Sequence, residues 1–203
     1  VQKRLGVKYS VNLMGLDVSD GGYGRYDDED PGQPFFYPQG YTVVEHKGVP
    51  IVFFVVHFKD GTTPEYRAAR HLEVDRLVEH ITELSATFRH IVVSGDFNDT
   101  DSSISGNEIS GYLHTRMSEV GLYNARIKDG THLDATYEYS SNQGVTGNSI
   151  DHVFVTADLY ESISNTEVIS GTGFGKNSAA RSDARGDFRW SDHLPVRVEF
   201  TFE

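Results

Sequence analysis

Cysteine is absent from the 203-residue sequence, and its absence excludes disulfide bonds and thiolate metal sites. No apolar run approaches the ~20 residues that a membrane-spanning helix needs, so we expect a soluble protein. No repeat or low-complexity linker divides the chain, which predicts a single domain over residues 1–203 and, we expect, a monomer. The lack of cysteine suits many secreted bacterial proteins, although it assigns no compartment.

Basic residues are also scarce. Lys and Arg number 18 against 30 Asp and Glu, which gives a formal net charge of −12. This balance argues against a broad basic face for nucleic acid. It leaves phosphate chemistry open, because a divalent cation can bridge an acidic protein and an anionic substrate. One segment, 171–190, is locally basic and contains Lys176, Arg181, Arg185 and Arg189.

Apolar runs predict a β-hairpin followed by a long helix. The run PIVFFVVHF (50–58) follows YTVVE and the turn HKG, and it is apolar enough for a buried strand. Residues 62–88 carry an apolar stripe at helical spacing. Pro64 suits the first turn of that helix, and Thr62 with Glu65 fits a capping box.

Shorter elements complete a mixed pattern. A second helix is predicted where one side would hold Ile109, Leu113, Met117 and Val120. Strands are predicted for HIVVS, ATYEY, SIDHVFVT and YESISNTEVIS, and for the alternating C-terminal run HLPVRVEFTF. Because strands outnumber helices and several neighbouring strands are read as antiparallel, the sequence predicts an α/β fold with layered sheets.

Acid, amide or imidazole groups lie at the ends of four predicted strands. They are found in VVSGDFN (92–98), SIDHVFV (149–155) and WSDHLPV (190–196), and at His57, which ends the most apolar run. Strand ends lie side by side in a sheet, so we expect these groups to meet in one cleft. Carboxylate and amide oxygens suit Mg²⁺, Mn²⁺ or Ca²⁺ better than zinc, and histidine can transfer a proton or donate to a phosphoryl oxygen.

A serine triad is the rival interpretation of Ser191, Asp192 and His193. Adjacent residues cannot supply nucleophile, orienting carboxylate and base along one line of hydrogen bonds. The chain also has no G-x-S-x-G motif. The pattern therefore favours a metal-assisted site over a serine nucleophile.

Three motifs in this order, GDFN (95–98), IDHVFV (150–155) and SDHLPV (191–196), resemble the endonuclease/exonuclease/phosphatase superfamily. That superfamily includes pancreatic-type deoxyribonuclease, apurinic endonucleases, inositol-polyphosphate 5-phosphatases and bacterial sphingomyelinases. FFVVHF, followed by an Arg-bearing helix, is similar to its strand–His–helix element. The resemblance covers residues 41–203 and leaves 1–40 poorly matched. It implies a layered α/β/β/α sandwich of mixed, largely antiparallel sheets.

The resemblance also implies a role for each matching residue. Asp96 would orient or deprotonate the attacking water, and Asn98 would hold that water or the phosphate. His193 would contact the scissile phosphate, while Asp151 would accept a hydrogen bond from its ring and fix its tautomer. His57 would be a second phosphate contact. The implied reaction is in-line attack of water on a phosphoester.

Metal and substrate contacts are implied in the same region. Asp192 would help to bind the divalent metal, which is Mg²⁺, Mn²⁺ or Ca²⁺. Arg185 and Arg189 of the basic segment are predicted to meet the anionic groups of the substrate. The sequence leaves open whether that phosphoester is a small molecule, a lipid head group or nucleic acid.

Two elements of the family pattern are not found in the sequence. The family begins with a strand that ends in Asn, and a later strand ends in Gln-Glu, whose Glu is a principal metal ligand. No Gln-Glu pair occurs in the chain. We therefore expect an N-terminally incomplete copy of the domain. Two functions stay open: a metal-dependent phosphoesterase, or a degenerate or truncated member that serves as a binding module.

Several polar residues beside these motifs are assigned structural roles. His152 would point to the opposite face of its strand from Asp151 and be buried. Arg67 and Arg70 on the long helix are expected to be solvated. Asp99 is expected to be an ordinary turn former.

Overall fold

The computed structural model describes residues 9–14, 39–99, 102–105, 108–141, 144–169 and 193–201. The strands in these ranges are β1 (Tyr9–Met14), β2 (Gln39–His46), β3 (Val49–His57), β4 (His90–Asp96), β5 (Ser103–Ser105), β6 (Glu108–Ser110), β7 (Leu122–Asn124), β8 (Tyr137–Ser141), β9 (Gly144–Asn148), β10 (Asp151–Thr156), β11 (Ile163–Val168) and β12 (Val196–Phe200). The α-helices are α1 (Pro64–Ser85), α2 (Tyr112–Glu119) and α3 (Ala157–Glu161). Single turns of 3₁₀ helix cover Ala125–Ile127 and Thr131–Leu133.

The main sheet has six strands in the order β1-β2-β3-β4-β10-β7. Its β3–β4 pair is parallel, and its other described pairs are antiparallel. The predicted hairpin is confirmed: β2 and β3 are joined at Lys47 and Gly48, both with positive φ, as a tight hairpin turn requires. Helix α1 makes the crossover that a parallel pair needs. The predicted mixed, largely antiparallel sheet is thereby confirmed.

The N-cap of helix α1 lies one residue later than the sequence predicted. The cap is Thr63, whose hydroxyl accepts from the Tyr66 backbone N–H at 3.4 Å, so the assignment to Thr62 was wrong. Pro64 occupies the first turn as predicted, where its missing N–H costs nothing. Thr63 rather than Thr62 fits because the residue before proline is held in extended backbone.

The prediction that Arg70 is solvated was also wrong, because its side chain is only 3% exposed. One guanidinium nitrogen donates to the Lys59 carbonyl at 3.1 Å and to the Gly61 carbonyl. Nearby on α1, the Glu73 carboxylate accepts from the Lys59 backbone N–H at 2.8 Å. The two helix side chains therefore fix the segment that follows β3.

The main sheet has an apolar core on each face. The helix-side core joins alternate residues of β3 and β4 to α1 and α2, and includes Val52, Phe54, Val56, Val74, Leu77, Ile81, Ile91, Val93, Leu113 and Met117. The opposite core packs against β11 and β12, and includes Ile51, Val92, Val153, Val155 and Ile163, with Val196, Val198 and Phe200 at its margin. Each fully buried aliphatic side chain contributes roughly 1.5–3 kcal/mol. Helices, the main sheet and the β11–β12 sheet form, among the described residues, three of the four layers of the predicted α/β/β/α sandwich.

Three local predictions need correction. Ile109 lies in β6 rather than in the second helix, which begins at Tyr112. Tyr160 and Glu161, predicted as strand, belong to α3. Within the apolar strand β3, Val55 points outward and is 62% exposed. For Ile109, and for Tyr160 with Glu161, the local sequence pattern fits both helix and strand, and packing against neighbouring elements decides between them.

Gly95 of β4 lies where two backbones approach most closely. Its φ is +144°, and an added Cβ would lie 1.9 Å from the Val56 carbonyl oxygen of β3. That oxygen belongs to the backbone and cannot move without disturbing the parallel pair. Gly95 is therefore required both by its backbone conformation and by space.

We predict that Gly95→Ala lowers the free energy of unfolding by more than about 3 kcal/mol, measured by chemical denaturation. The matched control is Gly121→Ala: Gly121 has φ +74° but nothing within 4 Å of its added Cβ, so its loss should be about 1 kcal/mol. Equal losses for the two variants would contradict the steric argument.

Candidate active site

Strand pairing brings three of the predicted site residues into one row. His57 at the end of β3 pairs with Asp96 at the end of β4, because these strands run parallel. β10 runs in the opposite direction, so its first residue, Asp151, pairs with Asp96 from the other side. The three side chains therefore lie at one edge of the sheet, as the sequence predicted for the strand ends.

His193 joins this row from just before β12. It makes an isolated β-bridge with Tyr137, and the next residue, Leu194, donates its N–H to the Thr136 carbonyl at 2.6 Å. The His193 Nδ1 lies 2.9 Å from Asp151 Oδ2, and its Nε2 lies 3.8 Å from Asp96 Oδ2. Nδ1 donates to the Asp151 carboxylate, and Nε2 is left facing Asp96.

His57 approaches Asp96 from the other side. Its Nε2 lies 3.7 Å from Asp96 Oδ2, and its side chain is 52% exposed, against 29% for His193. Asp96 is thus flanked by two imidazoles, one half exposed and one oriented by a carboxylate. This set of one carboxylate and two imidazoles can accept and donate protons at the ring nitrogens.

Burial raises the pKa of Asp96 above its ordinary value. The Asn98 backbone N–H, which donates to Asp96 Oδ1 at 2.8 Å, opposes this rise, while the nearby Asp151 carboxylate adds to it. His193 and His57 favour the ionised form. A positive ion at this place would relieve the repulsion between the two carboxylates.

The donor set fits a divalent cation. Asp96, Asp151 and His193 each offer one ligand atom, and these atoms lie within 4.8 Å of one another. Carboxylate oxygens are the ligands that Mg²⁺, Mn²⁺ and Ca²⁺ prefer. Three other predicted site residues, Asp192, Arg185 and Arg189, lie outside the described residues.

Asn98 lies in a strained backbone conformation beside Asp96. Its φ is +47°, in the left-handed region that asparagine tolerates better than most residues. Its side-chain amide donates to the Phe58 carbonyl at 2.9 Å, which ties the loop after β4 to the end of β3. The loop therefore has a fixed orientation relative to His57.

Arg126 is a supporting residue that the sequence did not reveal. Its side chain is fully buried and donates to the Asp151 carbonyl at 2.8 Å, to the Ser149 hydroxyl, and to the Thr131 and Asp134 carbonyls. Burial lowers its pKa to about 10, so it stays charged at neutral pH. No sequence signal marked it, since an arginine in a polar stretch is usually solvated.

Thr136 holds Asp151 from a second direction. Its hydroxyl accepts from the Ile150 and Asp151 backbone N–H groups at 3.1 and 3.0 Å. Together with the Arg126 contact to its carbonyl, this fixes the backbone of Asp151 on both sides. The carboxylate that orients His193 is thus itself oriented by buried polar groups.

A second polar cluster lies below the loop that carries Asn98. His152 is buried, as predicted, but Asp99 is not an ordinary turn former: its side chain is 7% exposed and faces two imidazoles. Asp99 Oδ2 lies 3.5 Å from His114 Nδ1 and 4.0 Å from His152 Nε2. The expectation for Asp99 failed because α2 and β10, distant in sequence, cover it.

Burial keeps both imidazoles of this cluster neutral. Burial, aided by nearby His132, lowers the pKa of His114 to about 4. Burial is the main cause that lowers the pKa of His152 well below its ordinary value, and the nearby His114 and Arg126 lower it further. Each ring therefore carries one proton at neutral pH.

Comparison with known proteins shows the fold. No protein-family model matches the sequence, and no curated protein matches it either. Among solved structures, TDP2 of D. rerio, complexed with a single-strand DNA product, is 11% identical with a TM-score of 0.59; the match covers 97% of this chain and 69% of that one. A mannosyl-6-phosphatase of Bacteroides thetaiotaomicron is 20% identical with a TM-score of 0.59, covering 96% and 66%.

A third structure, the 3′ phosphatase NExo from Neisseria bound to a product DNA hairpin, is 15% identical with a TM-score of 0.54; the match covers 96% of this chain and 80% of that one. The chain has the fold of the endonuclease/exonuclease/phosphatase superfamily, as its motifs indicated. It spans about two thirds of the length of the first two structures.

We predict that the free energy of unfolding falls as the pH is lowered from about 6.5 to about 4. Over this range His114 becomes protonated in the unfolded chain but stays neutral in the folded protein. The loss from this one group is on the order of 3 kcal/mol. Chemical denaturation at a series of pH values measures it.

His114→Gln should reduce this pH dependence without removing it, because the pKa of buried His152 is also lowered; His80→Gln is the matched control. His80 pairs only loosely with Glu83, at 3.9 Å on the outer side of α1. A His114→Gln profile that follows the unaltered protein would show that His114 is protonated in the folded state.

Proposed function

We propose that the protein is a divalent-metal-dependent phosphoesterase that hydrolyses its substrate by in-line attack of water. The observation that carries this proposal is the hydrogen bond from His193 Nδ1 to Asp151 Oδ2 at 2.9 Å, with the other ring nitrogen facing Asp96. A partly buried carboxylate, an oriented imidazole and a second imidazole at one sheet edge form an acid–base set of the kind that phosphoester hydrolysis requires.

Each residue has a distinct part in the proposed reaction. Asp96, whose pKa is raised by burial, accepts a hydrogen bond or proton from the attacking water. His193, held by Asp151, presents Nε2 to a phosphoryl oxygen and donates a proton there when protonated. His57 provides a second donor at the exposed side, and Asn98 orients the water or the phosphate.

The divalent cation would be held by the Asp96 carboxylate, with Asp192 supplying a further ligand from the SDH motif. When bound, it would neutralise charge that develops on the phosphoryl oxygens. The cation would also offset the repulsion between the chain, whose net charge is −12, and the phosphoester, which is an anion.

The substrate class stays open between a small phosphoester and a nucleic acid. The structural neighbours include a mannosyl-6-phosphatase and two proteins bound to DNA products. The acidic balance of this chain favours the small substrate, since DNA binding relies on basic groups that contact the phosphate backbone. A binding module is the alternative function, and the lack of a Gln-Glu pair in the chain favours it.

We predict that the protein hydrolyses p-nitrophenyl phosphate or bis(p-nitrophenyl) phosphate with Mg²⁺ or Mn²⁺, and that EDTA abolishes turnover. His193→Ala and Asp151→Asn should each lower kcat at least about 100-fold, because they remove the donor or its orientation. Asp192→Ala should raise the metal concentration that gives half-maximal rate.

His80→Ala is the matched control, and its rate should equal that of the unaltered protein because His80 lies on α1 away from Asp96. Turnover that survives both EDTA and His193→Ala would reject the mechanism. A folded protein that binds a phosphoester by calorimetry but hydrolyses none of the substrates would instead support the binding module.

A further inference from the structure

The polar cluster beneath the Asn98 loop is built from five side chains that the proposed reaction does not use. They come from the loop after β4, from α2, from the end of β7 and from β10, and are Asp99, Ser102, His114, Asn124 and His152. Asn124 and His152 are 3% and 2% exposed. Burying a polar group without a hydrogen-bond partner costs free energy, so the partner of each donor and acceptor matters here.

The orientation of the Asn124 amide is fixed by the backbone. The Arg126 N–H donates to Asn124 Oδ1 at 3.1 Å, so the amide nitrogen points the other way. That nitrogen lies 3.1 Å from His114 Nε2 and 3.2 Å from His152 Nδ1. Because an amide NH₂ only donates, both ring nitrogens must accept.

The two tautomers follow. A neutral imidazole that accepts at one nitrogen carries its proton on the other, so His114 is protonated at Nδ1 and His152 at Nε2. These are the two atoms that face Asp99 Oδ2, at 3.5 and 4.0 Å. Ser102 also donates to Asp99 Oδ2, and its hydroxyl lies 3.1 Å from His114 Nδ1. Because the Ser102 proton goes to Asp99, the His114 Nδ1–H donates to the Ser102 oxygen, while the His152 Nε2–H faces Asp99 Oδ2 at 4.0 Å without a hydrogen bond.

The same three side chains, Asp99, His114 and His152, also have the spacing of a metal site. A metal ion would need the lone pairs of His114 Nδ1 and His152 Nε2, which would move both protons to the nitrogens that face Asn124. Those protons would then oppose the amide NH₂. Turning the amide would relieve that clash but would place its NH₂ against the Arg126 N–H. The amide therefore favours a hydrogen-bonded cluster over a metal site.

The cluster acts on the residue next to Asn98. The loop that carries Asn98 is tied from above by its amide contact to Phe58 and by Phe97, whose N–H donates to the Ile150 carbonyl at 3.0 Å. The positive φ of Asn98 makes this conformation costly without further support. Asp99 supplies that support from below, where Ser102 donates to its carboxylate and the two imidazoles lie beside it at 3.5 and 4.0 Å.

We propose that Asn124 is a positioning residue: it fixes the tautomers of His114 and His152 so that both rings direct an N–H toward Asp99, that of His114 through Ser102, and Asp99 placed in this way sets Asn98 and Asp96 for the reaction. The inference rests on the proposed phosphoesterase function for its effect on rate. The tautomers and the order of the loop do not depend on that function, and they can be measured separately.

The first measurement is of the tautomers. Ring ¹⁵N shifts should show His114 protonated at Nδ1 and His152 at Nε2 near pH 7.5. Asn124→Leu, which fills similar space but donates nothing, should remove this preference. It should also speed hydrogen exchange at the Phe97 and Asn98 amides. Opposite tautomers in the unaltered protein, or unchanged exchange in the variant, would overturn the proposal.

The second measurement is of the rate. Asn124→Leu should lower kcat at least about tenfold and change KM less than about threefold, because the reacting groups shift while substrate contacts persist. Gly121→Ala is the stability control: it destabilises an adjacent turn without touching the cluster, and its kcat should be unchanged. An unchanged kcat in Asn124→Leu would contradict the positioning role.

Rescue separates positioning from simple loss of structure. The double variant Asp99→Asn/Asn124→Asp exchanges carboxylate and amide, so that residue 124 accepts from both ring nitrogens that face it and residue 99 donates toward the other two. Its kcat should return to within about threefold of the unaltered protein, with both tautomers reversed. A double variant as slow as Asn124→Leu would overturn the proposal.

Two further outcomes are informative. If the unaltered protein hydrolyses no phosphoester, the proposed function fails, and the tautomer and exchange measurements alone decide whether the cluster orders the loop. Titration with Co²⁺ tests the metal alternative: a tetrahedral visible band that disappears in His114→Gln would assign a metal to the cluster and overturn the hydrogen-bonded arrangement.

Discussion

The pairing of β4 with β3 on one side and β10 on the other is the constraint on which the candidate site depends. A parallel neighbour brings His57 level with Asp96, and an antiparallel neighbour brings Asp151 level with it. The alignment with β3 requires the two backbones to approach at Gly95, where a side chain would meet the Val56 carbonyl oxygen. The register of β4 with its two neighbours thus brings His57, Asp96 and Asp151 to one edge of the sheet.

Buried polar groups extend this order beyond the sheet. Arg126 and Thr136 fix the backbone of Asp151, and Asn124 joins two buried imidazoles beneath Asp99. An unpaired buried donor or acceptor costs about 1–3 kcal/mol, so the hydrogen bonds that these groups make contribute to the order of the network. The supporting network consequently holds the proposed site more rigidly than the exposed side chains do by themselves.

Local patterns predicted the elements whose apolar residues repeat regularly. The continuous apolar run of β3, the helical stripe of α1 and the short strand β4 are all found where the sequence placed them. The errors concern residues whose local pattern was ambiguous. Thr62 and Thr63 are both good caps, and Ile109 suits either a strand or the first turn of a helix. Arg70 and Asp99 are usually solvated, and only packing from distant segments buries them.

The sequence by itself determined the chemical groups available and their place at strand ends, because apolar runs and the motifs GDFN, IDHVFV and SDHLPV are local features. Tertiary structure decided which of these groups meet. The distance from His193 to Asp151, and the enclosure of Asp99 by His114 and His152, join residues far apart in the chain. Sheet register and side-chain burial set those contacts, and both arise only when the layers pack together.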